Sequence, residues 1–96
     1  VSDLIKGTIV YIDSYGNLIT NITRQLFSSV GKGRPFVIEV KLEELRRIHA
    51  SYITEQRGGL QAIFNSSGLL EIAIIDGKAS QLMGLMVNDL VNVRFE

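Results

Sequence analysis

Asp13, Tyr15, Asn17, Thr20 and Asn21 place a carboxylate, a phenol ring, a hydroxyl and two amides in the stretch YIDSYGNLITNI. A carboxylate pairs with a cation, an aromatic face stacks on a flat heterocycle, and an amide offers donor and acceptor together. Such a set fits a ligand that carries both a cation and a heterocycle. The structural alternative stands beside it, because Asp, Gly and Asn are ordinary hairpin residues. The excess favours chemistry, since a turn needs Gly16-Asn17 and gains nothing from an added ring and further polar groups.

The elements that must position these groups follow from the pattern. Lys6–Asp13 reads as a strand with Ile9, Tyr11 and Asp13 on one face and Val10 and Ile12 on the other. Gly16-Asn17 supplies the turn, and Leu18, Ile19 and Ile22 return the chain to apolar surroundings. Thr23–Val30 fits a helical turn anchored by Leu26 and Phe27, and the glycines and proline of 31–35 mark a loop. Phe36–Val40 is β-branched and reads as a strand. In the next stretch Leu42, Leu45 and Ile48 are spaced as in a helix, whereas RRIHASYI alternates. The favoured reading is a turn around Leu42–Leu45 and then a strand to Tyr52. Residues 54–59 are a loop. Leu60–Asn65 and Leu69–Ile75 are strands joined by Ser66-Ser67-Gly68, a hairpin loop with its glycine late. Asp76-Gly77-Lys78 turns, Ala79–Leu85 is short and helical or irregular, and Leu90–Phe95 closes the chain as a strand. The expectation is all-β: a single-domain small antiparallel β-barrel of six to seven strands with short helical turns.

Composition excludes several functions. The 96 residues make one small domain, and ten acidic and ten basic residues cancel. No global field therefore attracts nucleic acid or an anionic membrane, which argues against an OB-like nucleic-acid barrel. With no cysteine and one histidine there is no disulfide framework and no thiolate or His-rich metal site. His49 has no nucleophile pattern around it and reads as solvent-facing; Arg24, Arg46 and Arg47 read as a solvated face or an interface rim. Glu71, alone in an apolar strand, is expected to pair across strands. No apolar run is long enough to span a membrane and no signal peptide is visible, so a cytoplasmic location is expected. The chain starts Val-Ser-Asp without an initiator methionine, and is read as a processed product or part of something longer. A hydrophobic content of 46% is high for a lone small domain and points to apolar surface covered by a partner.

GTIVYIDSYGNLITNI, then NSSGLLEIAIIDGKASQLMGL, then NDLVNV resembles the C-terminal domain of the S-adenosyl-L-methionine hydroxide adenosyltransferases, the family that includes the fluorinases and chlorinases. The resemblance implies a homotrimer of two-domain protomers. S-adenosyl-L-methionine would be its substrate, with no cofactor, held between the N-terminal domain of one protomer and the β-barrel of its neighbour. The barrel would bind, while the N-terminal domain activates the nucleophile. By position, Asp13 would face the methionine amino group, Tyr15 would lie near adenine and Asn17 would hydrogen-bond its edge. Tyr52 would be a second stacking ring. Ser66 and Ser67 would hold the methionine carboxylate with help from loop N–H groups, and main chain around Ile74–Asp76 would complete the adenine edge. All of these are expected on one rim. Ser67 stands where the halogenases have arginine, which favours water as co-substrate. Ile74-Ile75 replaces the usual Val-Asn, and Lys78 stands where Asn is common. A structural oligomerisation barrel without catalytic role is the competing function.

Overall fold

The computed structural model describes residues 3–52, 59–74 and 77–96. The strands are β1 (Leu4–Ile12), β2 (Leu18–Thr23), β3 (Phe36–Val40), β4 (Glu43–Leu45), β5 (Leu60–Phe64), β6 (Leu69–Ile74) and β7 (Leu90–Phe95). Helix α1 (Arg24–Gly31) follows β2, and α2 (Ala79–Met83) lies between β6 and β7. All seven strands join one antiparallel sheet in the order β4-β3-β7-β1-β2-β6-β5. Its two edges approach where His49, after β4, bridges Ile63 of β5 and donates its N–H to the Ala62 carbonyl at 2.9 Å. The result is the nearly closed small barrel that the pattern of short strands and turns predicts.

Alternation fills the interior. Ile5, Ile9, Leu18, Ile22, Ile38, Val40, Leu70, Ile72, Val91 and Val93 form the buried core, since alternate residues of a half-buried strand face the same side. Helix α1 closes one end. Its Phe27 ring lies 5.0 Å from Phe36, 5.5 Å from Phe64 and 5.3 Å from Phe95, and Gly31 leaves room for Phe95, whose ring atom would stand 2.5 Å from a Cβ there. Thr23 starts this helix by accepting the Leu26 N–H at 3.0 Å, the usual N-cap bond. Leu26, expected to point inward with Phe27, is instead exposed; Val30 packs inward in its place.

Three further expectations are corrected. The alternation of β1 breaks at a bulge between Ile9 and Tyr11, where Ile9 pairs with Thr20 but Tyr11 with Ile19. The extra residue turns Tyr11 outward, away from the face of Ile9. Leu42–Leu45 is not simply a turn. Lys41 takes a positive φ of 54°, and Glu43–Leu45 returns along β3 as a short strand. The strand expected up to Tyr52 shrinks to the single bridge at His49, which is half-buried rather than solvent-facing.

Candidate functional site

Two loops that carry the predicted site residues are built alike. In the first, Asp13 accepts the Gly16 N–H on its carbonyl at 2.9 Å and donates its own N–H to the Asn17 carbonyl at 3.1 Å. Its Oδ1 accepts the N–H groups of Tyr15 and Asn17, both at 2.9 Å. In the second, Asn65 repeats each contact: Gly68 N–H to its carbonyl at 2.9 Å, its N–H to Leu69 at 2.9 Å, and Oδ1 accepting Ser67 at 3.0 Å and Leu69 at 3.1 Å. Asp-Ser-Tyr-Gly and Asn-Ser-Ser-Gly are thus one turn written twice. The closing glycines share a φ, 78° at Gly16 and 77° at Gly68, a conformation in which a Cβ is crowded. Asn17, expected to share the tight turn, does not adopt positive φ.

The polar excess of the first hairpin divides in two. Thr20 is buried, donates to the Leu70 carbonyl at 2.8 Å and accepts the Ile22 N–H at 3.2 Å, which fills the irregularity of the β2–β6 ladder. Asn21 accepts the Thr8 N–H at 3.0 Å. Both are structural. Tyr15 is 73% exposed, and the Asn17 side-chain amide makes no hydrogen bond among the described residues. These two are the groups left over for a ligand.

The two loops do not share a rim. Leu18 pairs with Ile72 and Thr23 with Leu69, so the Asp13–Asn17 loop sits at the Ile74 end of the β2–β6 ladder and the Ser66–Ser67 turn at the other. The separation along β2 is about 16 Å at roughly 3.3 Å per residue. Only the antiparallel pairing of two strands distant in sequence produces this arrangement. Main chain at Ile74 does lie beside the first loop, while Asp76 falls outside the described residues.

A polar line crosses the outer face between the loops. Tyr52 donates its hydroxyl to Glu71 Oε2 at 2.7 Å, and Asn65 donates its amide to Glu71 Oε1 at 3.2 Å. Glu71 is thus paired across strands as expected, with Asn65 at the end of β5, and its second partner is Tyr52; both are neutral. Burial first, then the hydrogen bond to Glu71 and the charges of Glu71 and Asp13, push the Tyr52 phenol well above its ordinary value. Asp13 is thus close enough to be felt at Tyr52. Sequence reasoning named Tyr52 but missed Asn65 and Glu71 as the groups that fix it; Glu71 alone in an apolar strand was the available signal.

The raised phenol carries a prediction. Its contribution to stability is fully present below the unfolded-chain value near pH 10 and is lost as pH rises toward the folded value. Stability should fall above pH 10 by about 1 kcal/mol per unit, allowing for the water that still reaches the half-buried ring. In Tyr52→Phe that component of the alkaline limb should vanish; unfolding titrations with the same alkaline slope in both proteins would remove the phenol as its source.

The Ser66–Ser67 turn has fewer donors than expected. The N–H groups of Ser67 and Gly68 are held within the turn by Asn65, so the two exposed hydroxyls and the Ser66 N–H are what it can offer an anion. Among the described residues no group of three or more His, Cys, Asp or Glu is placed to hold a metal. No helix among them is long and apolar enough to cross a membrane.

The model of the SAM hydroxide adenosyltransferase C-terminal domain matches residues 7–92. Among solved structures, an uncharacterized conserved protein from Thermotoga maritima is similar at 25% identity and a TM-score of 0.72, over 95% of this chain and 36% of that one. A conserved hypothetical protein from Thermus thermophilus is similar at 26% identity and a TM-score of 0.67, over 95% of this chain and 32% of that one. The chain thus spans about a third of the length of these structures. No curated protein matches it.

Proposed function

The chain belongs to the SAM hydroxide adenosyltransferase C-terminal domain family, and on that premise we propose that it is the substrate-binding half of an enzyme that hydrolyses S-adenosyl-L-methionine to adenosine and L-methionine. The observation that carries the reading is the outer face of β2–β6, with hydrogen-bonding loops at both ends and the Tyr52–Glu71–Asn65 line between them. An elongated ligand with a purine at one end and an amino acid at the other has the shape such a face takes. Tyr15, the free Asn17 amide and main chain at Ile74 and Asp76 serve the adenine, with Tyr52 offering a ring along the way. The two loops stand about 16 Å apart, farther than the ammonium and carboxylate of one α-amino acid, so Asp13 does not share the head group with Ser66 and Ser67.

The sulfonium is a good leaving group, so the domain's work is to hold the ribose carbon in line with a positioned water and to exclude the rest. The activating residues belong to an N-terminal domain, and the site forms between subunits of a homotrimer. Large apolar side chains left in solvent, Leu42 at 96% exposure above all, support an extensive partner surface. The test is adenosine release from S-adenosylmethionine. The chain alone should give none, and addition of a matching N-terminal domain should restore it; turnover by the chain alone ends the proposed division of labour. In the assembled enzyme, Asn17→Ala should weaken adenosine binding by about 1–2 kcal/mol, the worth of a neutral hydrogen bond to a buried edge. An unchanged Kd removes Asn17 from the site.

A further inference from the structure

We infer that Arg24 is the cation that receives the ligand's carboxylate at the Ser66–Ser67 end of the site. The inference rests on the function proposed above and adds a specificity-determining residue to it. Arg24, Ser67 and Gly68 line one open cleft together with Thr23, Gln25 and Ser28. The Arg24 N–H donates to the Gly68 carbonyl at 2.8 Å, which ties the start of α1 to the turn. The guanidinium lies 5.2 Å from the centroid of the Phe64 ring, immediately before the turn in sequence.

Three facts make this more than a solvated charge. Arg34, Arg46 and Arg94 each pair with a carboxylate, whereas among the described residues Arg24 and Arg47 do not, and of these two only Arg24 has a ring beside its guanidinium. The ring attracts the guanidinium at that distance and uses none of its N–H groups, which a planar, two-oxygen partner could meet. The turn beside it, with its Ser67 and Gly68 N–H groups already used, presents neutral donors only. A carboxylate bound there needs a positive charge, and Arg24 is the one that shares the cleft with Ser67.

The experiment compares S-adenosylmethionine with 5′-methylthioadenosine, which lacks the amino-acid head, on the assembled two-domain enzyme by calorimetric titration. Arg24→Met should weaken S-adenosylmethionine about tenfold, the charge-assisted bond being discounted for its exposed setting, and leave 5′-methylthioadenosine unchanged. Arg24→Lys should recover part of the loss, because it restores charge without the planar fork. If both ligands bind the wild-type enzyme and Arg24→Met binds each as tightly, the Arg24 assignment falls and the substrate reading stands. Equal weakening of both ligands overturns it too, since the effect is then not on the carboxylate. If the wild-type enzyme binds neither ligand, the substrate reading falls and takes this assignment with it.

Discussion

Gly16→Ala should lower the thermal unfolding midpoint by roughly 12 °C or more, the equivalent of about 3 kcal/mol in a domain of this size. Two independent costs meet at this position. The residue holds φ at 78°, where an L side chain is strained by about 1–2 kcal/mol. A Cβ would also stand 2.5 Å from Lys78 Cβ and 3.0 Å from its Cα, so the backbone itself must part. That parting would break the bond from Ser80 N–H to the Gly16 carbonyl, 3.0 Å long, which staples the loop to the start of α2. Such a bond contributes about 1 kcal/mol. The matched control is Gly68→Ala, which has the same φ to within a degree but nothing within reach of a Cβ. It should show the backbone strain alone and lose about half as much. Equal midpoints for the two variants would show that the contact with Lys78 contributes nothing.

Glu71→Ala should destabilise the chain by about 2 kcal/mol, because two hydrogen bonds to a carboxylate disappear and two half-buried groups lose their partner. The same change should loosen the site, since Tyr52 and Asn65 are both held by Glu71. Glu71→Gln gives a sharper measurement. With Asn65 fixed as a donor, the Gln oxygen accepts from Asn65 while its NH2 group donates to the Tyr52 hydroxyl, which accepts as well as donates. Asn65 cannot flip without surrendering the Ser67 and Leu69 N–H groups that its oxygen holds. Both contacts survive without the carboxylate's charge, so a loss of about 1 kcal/mol is expected. A Gln variant as stable as the wild type would mean that the charge of Glu71 adds nothing to the two bonds.

How much of this was legible in the sequence depends on whether the information is local. The Ser-Ser-Gly hairpin, the strands around it and the helical turn from Thr23 are written in adjacent residues, and they formed where turn chemistry and the apolar pattern placed them. The β1 bulge was not legible, because the strand keeps an apolar-looking pattern through Val10 and Tyr11 while the register against β2 slips by one. Glu43–Leu45 was obscured by the helix-like spacing of Leu42, Leu45 and Ile48, which its pairing with β3 overrides. The candidate residues themselves were named from their types and from a resemblance. Their arrangement at two ends of one ladder required the β2–β6 pairing, which no short stretch encodes. Thr20 and Asn21 looked like surplus chemistry for the same reason: their backbone partners, Leu70 and Thr8, lie far off in sequence.

The last strand in chain order, β7, lies between β1 and β3. Until Leu90–Phe95 arrives, the β3–β4 hairpin has no neighbour on its open side and β1 presents a bare edge. Before β7 pairs, the β3–β4 hairpin meets the other half-sheet, among the described strands, at the His49–Ile63 bridge alone. Closure then comes as one late event between residues far apart along the chain, the kind of pairing that folds slowly and leaves sticky edges exposed meanwhile. Deleting β7 should therefore open the middle of the sheet, leaving the His49–Ile63 bridge to hold the halves, and not fray a margin.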